Sequence, residues 1–219
     1  MSMVGRYGRR AALQKAALGF GVFPCFTPAG AQTPVRLLML GDSITAGYGL
    51  PPGQGIVPQL QAALVAAGRA VRILDGGVSG DTTAGGLARI DWSLAENPQA
   101  AIVALGGNDG LRALPPAASR ANLVGILDRL AARRIPTMLA GMIAPPNLGA
   151  DYGREFAAIF TSLAAERPGV IFYPFLLEGV AGIAAMNQPD GIHPNQAGVR
   201  VMVQRLLPVT QTLLDQIRP

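Results

Sequence analysis

The 219-residue chain contains one cysteine, one histidine and one lysine, and these scarcities exclude several kinds of chemistry at once. Cys25 sits near the amino end within an apolar stretch, so the remainder of the chain has neither a disulfide nor a thiol nucleophile. A single histidine and no further cysteine leave few nitrogen or sulfur ligands for a zinc site, although a site built only from oxygen ligands stays open. Lys15 is the only lysine, which removes the phosphate-binding loop, whose pattern needs Lys followed by Ser or Thr. Long apolar runs are missing too. Ala16 to Phe26 is shorter than the roughly 20 residues a bilayer demands and is broken by Gly and Pro, so no stable membrane anchor is expected.

Charge is also sparse, at 14% of residues against 50% hydrophobic, a balance suited to one compact domain with a sizeable core. The net charge of +5 is unevenly placed. Arg6, Arg9, Arg10 and Lys15 crowd the start with no acidic residue among them, and beyond them fourteen arginines face thirteen carboxylates. A nucleic-acid partner is therefore not expected, because phosphate neutralisation needs clustered cations. The basic start, the apolar stretch and the small-x-small triplet Ala29-Gly30-Ala31 read as an export signal over residues 1–31, with a single domain over 32–219 in the periplasm or outside the cell. The Arg9-Arg10 pair leaves both the general and the twin-arginine export routes open. Val22-Phe23-Pro24 before Cys25 does not fit a lipoprotein signal.

Downstream, short apolar runs alternate with helical patterns. Val35 to Leu40, Val71 to Leu74, Ala101 to Leu105, Thr137 to Ile143 and Val170 to Phe175 read as buried strands. Leu123, Ile126, Leu127 and Leu130 repeat at helical spacing, as do Phe156, Ile159, Phe160 and Leu163. A last helix begins near Asn195 with Val199, Met202, Val203, Leu206 and Leu207 on one side, and Pro208 is expected to kink it or end its first part. Alternation of this kind predicts a doubly wound α/β sandwich on a five-stranded parallel sheet, with functional residues on loops at the carboxyl ends of the strands.

Four motifs fall on those loops. Gly41-Asp42-Ser43-Ile44-Thr45-Ala46-Gly47 follows the first strand and is expected to leave Ser43 exposed at the sheet edge. Gly76-Gly77-Val78-Ser79-Gly80-Asp81-Thr82-Thr83 follows the second, where Thr82 or Asp81 could also cap the next helix. Leu105-Gly106-Gly107-Asn108-Asp109-Gly110 follows the third and carries an amide that could merely stabilise its turn. Near the end comes Asp190-Gly191-Ile192-His193-Pro194, whose three-residue spacing lets the carboxylate reach Nδ1 of the imidazole while Nε2 faces elsewhere. Together they supply a hydroxyl, a base, a carboxylate to orient the base, and two further hydrogen-bond donors, the parts needed for acyl transfer.

These blocks resemble those of the GDSL/SGNH hydrolases. Within that superfamily the chain is most similar to the bacterial periplasmic thioesterase, arylesterase and lysophospholipase branch. The similarity runs from about Leu37 to beyond Asn195 and includes Tyr152-Gly153-Arg154. The resemblance implies a three-layer αβα sandwich with Ser43 as nucleophile, His193 as general base and Asp190 as its partner. It implies an oxyanion hole from the backbone N–H groups of Ser43 and Gly80 with the amide of Asn108. Small acyl esters or thioesters are the implied substrates, lipid-derived ones included, and no metal or organic cofactor is needed. Leu111, Leu114 and Ile192 could line an acyl pocket or simply shield the sheet edge. A carbohydrate O-deacetylase on the same fold and a non-catalytic cell-envelope binding module are the alternatives. The second is opposed by the completeness of the Ser43, Asp190 and His193 set.

Overall fold

The computed structural model describes residues 33–217, and the export segment expected over residues 1–31 lies outside the described residues. Five strands form the sheet: β1 (Val35–Gly41), β2 (Val71–Gly77), β3 (Ala100–Ala104), β4 (Thr137–Ala140) and β5 (Ile171–Tyr173). All neighbours pair in parallel, in the order β2-β1-β3-β4-β5. Both faces of such a sheet are covered, so its inner strands need unbroken apolar sequence instead of alternation. β3 and β4 are buried at every residue, as is β1 from Leu37 onward.

Seven helices connect and cover these strands: α1 (Ser43–Ala46), α2 (Ile56–Ala66), α3 (Thr83–Ser93), α4 (Gly107–Leu111), α5 (Pro116–Ala132), α6 (Ala150–Glu166) and α7 (Gln196–Asp215). α2 packs with α7, while α3, α5 and α6 pack side by side as a separate layer, which makes the three-layer α/β sandwich. The stripes read from the sequence face inward: Leu123, Ile126, Leu127 and Leu130 on α5, and Phe156, Ile159, Phe160 and Leu163 on α6, are all buried. Burying side chains of this size stabilises by about 1.5–3 kcal/mol each.

Several boundaries differ from the sequence reading. β2 continues past Leu74 through Asp75-Gly76-Gly77, because Gly76 and Gly77 pair with Leu40 and Gly41. β3 lies one residue earlier than expected, at Ala100–Ala104. β4 stops at Ala140: Gly141 still donates to the Tyr173 carbonyl, but the chain then turns away and leaves Ile143 exposed. β5 is confined to three residues, because the chain turns after Tyr173 and the Gly141 carbonyl is taken by the Leu176 N–H at 3.0 Å in place of that of residue 175. Pro208 neither ends nor divides α7, which runs from Gln196 to Asp215. Its ring lies on the exposed side, where the carbonyl it frees, on exposed Gln204, can bond water, while Leu206, Thr210, Leu213 and Leu214 continue the buried stripe.

The strand order fixes where a ligand can sit. From β1 the chain moves outward to β2, then returns across to β3, β4 and β5, so the direction of winding reverses between β1 and β3. Loops leaving adjacent strands at such a switch point diverge to opposite faces and open a crevice at the carboxyl edge. Ser43 lies in the turn after β1, and Asn108 in the turn after β3.

Candidate active site

Asp42 links β1 to α1 and caps that single turn, its Oδ1 accepting the Ile44 N–H at 3.0 Å. The turn closes on Gly77, where any Cβ would collide with the backbone of Ala46. Ser43 is consequently held firmly and is only 9% exposed, in place of the open position expected from the sequence. After β3, Gly106 adopts φ of 116°, a conformation that favours glycine, and swings the chain into α4 with Asn108 in its first turn.

The third component arrives from the far end of the chain. Residues 187–194 form a hairpin-like loop closed by an isolated antiparallel bridge between Asn187 and Pro194, with Gln188 N–H donating to the His193 carbonyl at 2.7 Å. Asn195 ends it by capping α7, its Oδ1 accepting from the Ala197 and Gly198 N–H groups. This loop brings His193 Nε2 to 2.8 Å from Ser43 Oγ, across 150 residues of sequence. On the other side of the ring, His193 Nδ1 lies 2.7 Å from Asp190 Oδ2. Asp190 Oδ1 accepts the N–H groups of Ile192 and His193 at 2.9 and 3.0 Å. Those bonds to the His193 backbone and ring, with the Ile192 N–H, hold its carboxyl down at about 2. Tyr48 packs its ring on the imidazole, with centroids 4.6 Å apart.

Gly80 and Asn108 stand at the same edge of the sheet. Asn108 Nδ2 donates to the Asp81 carbonyl at 2.9 Å and lies 3.4 Å from Asp42 Oδ2, while Gly80, in a turn at φ of 82°, gives its carbonyl to Arg112 Nη2 at 2.8 Å. Thr82 caps α3, accepting the Gly85 N–H at 3.3 Å, and Asp81 instead pairs with Arg89 at 2.6 Å. Leu111, at the end of α4, and Ile192, on the loop of residues 187–194, are exposed at this edge, and Leu114 is half-buried with its carbonyl accepting the Tyr152 hydroxyl at 2.8 Å. A hollow of about 1010 Å³ opens elsewhere, at the amino-terminal edge of the sheet among Pro98, Gln99, Arg133, Arg134, Pro136 and Ile217, and includes none of these residues.

Other parts of the site were not apparent from the sequence. Asp42 is buried, and that burial raises its carboxyl from 3.8 to about 6 against the opposing pull of the Ile44 N–H and of His193. Asp109, within α4, is buried and accepts from Thr83 N–H at 2.9 Å, Thr83 Oγ1 at 2.5 Å and Ser119 Oγ at 2.8 Å, fixing the turn that carries Asn108. Gln188 reaches across the site, its Nε2 donating to the carbonyls of Tyr48 and Pro194 at 2.7 and 3.1 Å. The adjacent Asn108-Asp109 pair and the doubled threonine after Asp81 are the only sequence hints of the Asp109 network.

Residues 39–201 match the model of the GDSL-like lipase/acylhydrolase family. The chain belongs to that family. Membership makes it a hydrolase of the ester-cleaving class. It is 41% identical over 187 residues to esterase TesA of Pseudomonas aeruginosa, covering 85% of this chain and 91% of that one. It is 35% identical over 178 residues to thioesterase 1/protease 1/lysophospholipase L1 of Escherichia coli, covering 81% and 82%. Among solved structures, the esterase AlinE4, described as an SGNH-hydrolase family member, is 45% identical and superposes with a TM-score of 0.69 over 85% of this chain and 97% of its own.

Proposed function

We propose that the protein hydrolyses carboxylic esters and acyl thioesters through an acyl-enzyme on Ser43. The observation that carries this reading is the continuous hydrogen-bonded line from Ser43 Oγ through His193 to Asp190, at 2.8 and 2.7 Å. Ser43 Oγ attacks the carbonyl carbon while its proton passes to His193 Nε2, and the imidazolium then protonates the leaving alcohol or thiol. Water reverses the sequence to free the acid. Asp190 keeps the Nδ1–H tautomer in place, and its low carboxyl value means that it stays charged while the imidazolium forms. The tetrahedral oxygen takes hydrogen bonds from the backbone N–H groups of Ser43 and Gly80 and from the Asn108 amide, which keeps its 2.9 Å bond to the Asp81 carbonyl and exchanges its longer, 3.4 Å contact with Asp42 Oδ2 for the oxyanion. Loss of one such donor costs about 3 kcal/mol of transition-state stabilisation.

Exposed Leu111 and Ile192 and half-buried Leu114 support an apolar surface for the acyl chain beside the crevice. The activities for which the relatives are named, esterase, thioesterase and lysophospholipase, support carboxylic esters, acyl thioesters and lysophospholipids as substrates. The basic and apolar residues 1–31 support export to the periplasm or beyond, with cleavage after Ala31. Among the described residues, no helix is long and apolar enough to cross a membrane.

Hydrolysis of p-nitrophenyl esters from acetate to palmitate, by the protein and by Ser43→Ala, tests the reading. A maximum at intermediate chain length that the substitution abolishes is expected. Turnover of acetate alone would favour a carbohydrate O-deacetylase, and activity indifferent to Ser43→Ala would remove the serine from the chemistry.

A further inference from the structure

Arg89 is the side chain through which the separate parts of the oxyanion site are tied to one another. It projects from α3 and is largely covered, with 18% of its side chain exposed against 15% for Asp81. Its Nε donates to Asp81 Oδ2 at 2.6 Å and its Nη2 to the Gly41 carbonyl at 2.9 Å. Gly41 is the last residue of β1, two positions before Ser43, and its carbonyl also accepts the Val78 N–H at 3.1 Å. Asp81 immediately follows Gly80, and its own carbonyl receives Asn108 Nδ2 at 2.9 Å. One guanidinium thus spans the strand end that leads to Ser43 and the turn that presents Gly80, and through Asp81 it reaches the amide of Asn108.

We infer that Arg89 is a positioning residue for the acyl-transfer step, setting the mutual spacing of the three donors that receive the oxyanion. The inference rests on the proposed Ser43 reaction. Its physical basis is the planar fork of the guanidinium, which can bind a carboxylate and a carbonyl in fixed relative directions. A carbonyl oxygen in the ground state makes weaker demands on those donors than the tetrahedral oxyanion does, so a small displacement falls on kcat more than on KM. Misplacement by about 1 Å costs on the order of a hundredfold in rate. Gly80 is further held by Arg112, but that contact lies on the exposed side and touches only the Gly80 carbonyl.

Arg89→Gln, Arg89→Lys and a control, Arg129→Gln, provide the test. Arg129 also anchors α3 through an ion pair, with Asp91 at 3.2 Å, and is well exposed. Esterase sites are counted by fluorophosphonate labelling taken to completion, so that only competent protein is scored. In Arg89→Gln, kcat per labelled site should fall about tenfold to a hundredfold with KM within about twofold. The affinity for a boronic acid, which binds serine as a tetrahedral adduct, should fall by the same factor. Arg89→Lys, which keeps the charge but not the fork, should lie between, and Arg129→Gln should match the parent. Wild-type kcat per site in Arg89→Gln would overturn the inference, as would equal losses in Arg129→Gln or an unchanged boronate affinity. If Arg89→Gln does not fold, Arg89→Lys is judged by the same criteria. Failure of the underlying reaction is told apart by Ser43→Ala, which would then leave the parent activity intact.

Discussion

Asp42 and Asp190 are two carboxylates that neighbour the same imidazole, yet their surroundings push them in opposite directions. Asp190 is drawn down to about 2 by bonds from His193 and Ile192, and Asp42 is raised from 3.8 to about 6 by burial. For Asp42 the raised value means that the folded protein keeps a proton that the unfolded chain releases between about pH 4 and pH 6. Stability therefore declines as pH rises through that window and levels off above it, at a cost of up to about 3 kcal/mol. Asp42→Asn, which can still accept the Ile44 N–H, should remove the cost. In urea unfolding, the variant should gain on the parent between pH 4 and pH 7.5 by as much as about 3 kcal/mol, and parallel pH profiles would contradict the burial argument. The contrast also marks what was legible. Asp190 and His193 are three apart, so their contact follows from spacing in one loop. The burial of Asp42 and the cover over Ser43 depend on how α1 closes against Gly77 and on the approach of Gly107, neither of which leaves a local signature.

Among the elements, the loop of residues 187–194 must hold a ring within hydrogen-bonding distance of a hydroxyl that belongs to another segment. Apart from the contacts of His193 itself, Gln188 gives it a fixed strut to the Ser43 side, through the Tyr48 carbonyl at 2.7 Å. A Cβ on Gly49 would overlap the Gln188 amide, so the strut lies flat against the opposing backbone. Gln188→Met keeps the length and loses both N–H donors. It should lower kcat on a p-nitrophenyl ester about tenfold with a smaller change in KM, and reduce stability by about 1–2 kcal/mol; unaltered kcat would show that the loop holds itself. Sequence pattern located every strand and the stripes of α5, α6 and α7, because apolar periodicity is set by the layer each element covers. It placed ends poorly where tertiary contacts decide them. Pro208 persists within α7 because its missing bond falls on the wet side, and β5 stops at Tyr173 because the Gly141 carbonyl turns to the Leu176 N–H beyond it.

At the scale of the whole molecule, the chain beyond its first fifteen residues has nearly equal numbers of arginines and carboxylates, and many of them are paired on the surface, such as Arg120 with Glu166 at 2.6 Å and Arg205 with Glu178 at 3.1 Å. A protein beginning at Gln32 should therefore show no retardation of duplex DNA at about 50 mM salt, whereas a salt-sensitive shift at micromolar protein would reveal a cationic surface that the pairing argument overlooks. The winding order of the sheet explains why three of the four motifs gather at one crevice; the alternation of strands and helices made the doubly wound parallel sheet legible, but not the order of its strands. Nor was the position of the fourth motif legible, because it enters through a loop braced by Asn187, Gln188 and Asn195 after the last strand. That late entry has a consequence for the life of the molecule. Synthesis runs from the amino end, so the nucleophile emerges 150 residues ahead of its base. A nascent or prematurely terminated chain without the final thirty residues carries Ser43 but lacks both its base and the cover of α7, so it should remain chemically silent toward the cell's own esters until those residues have docked.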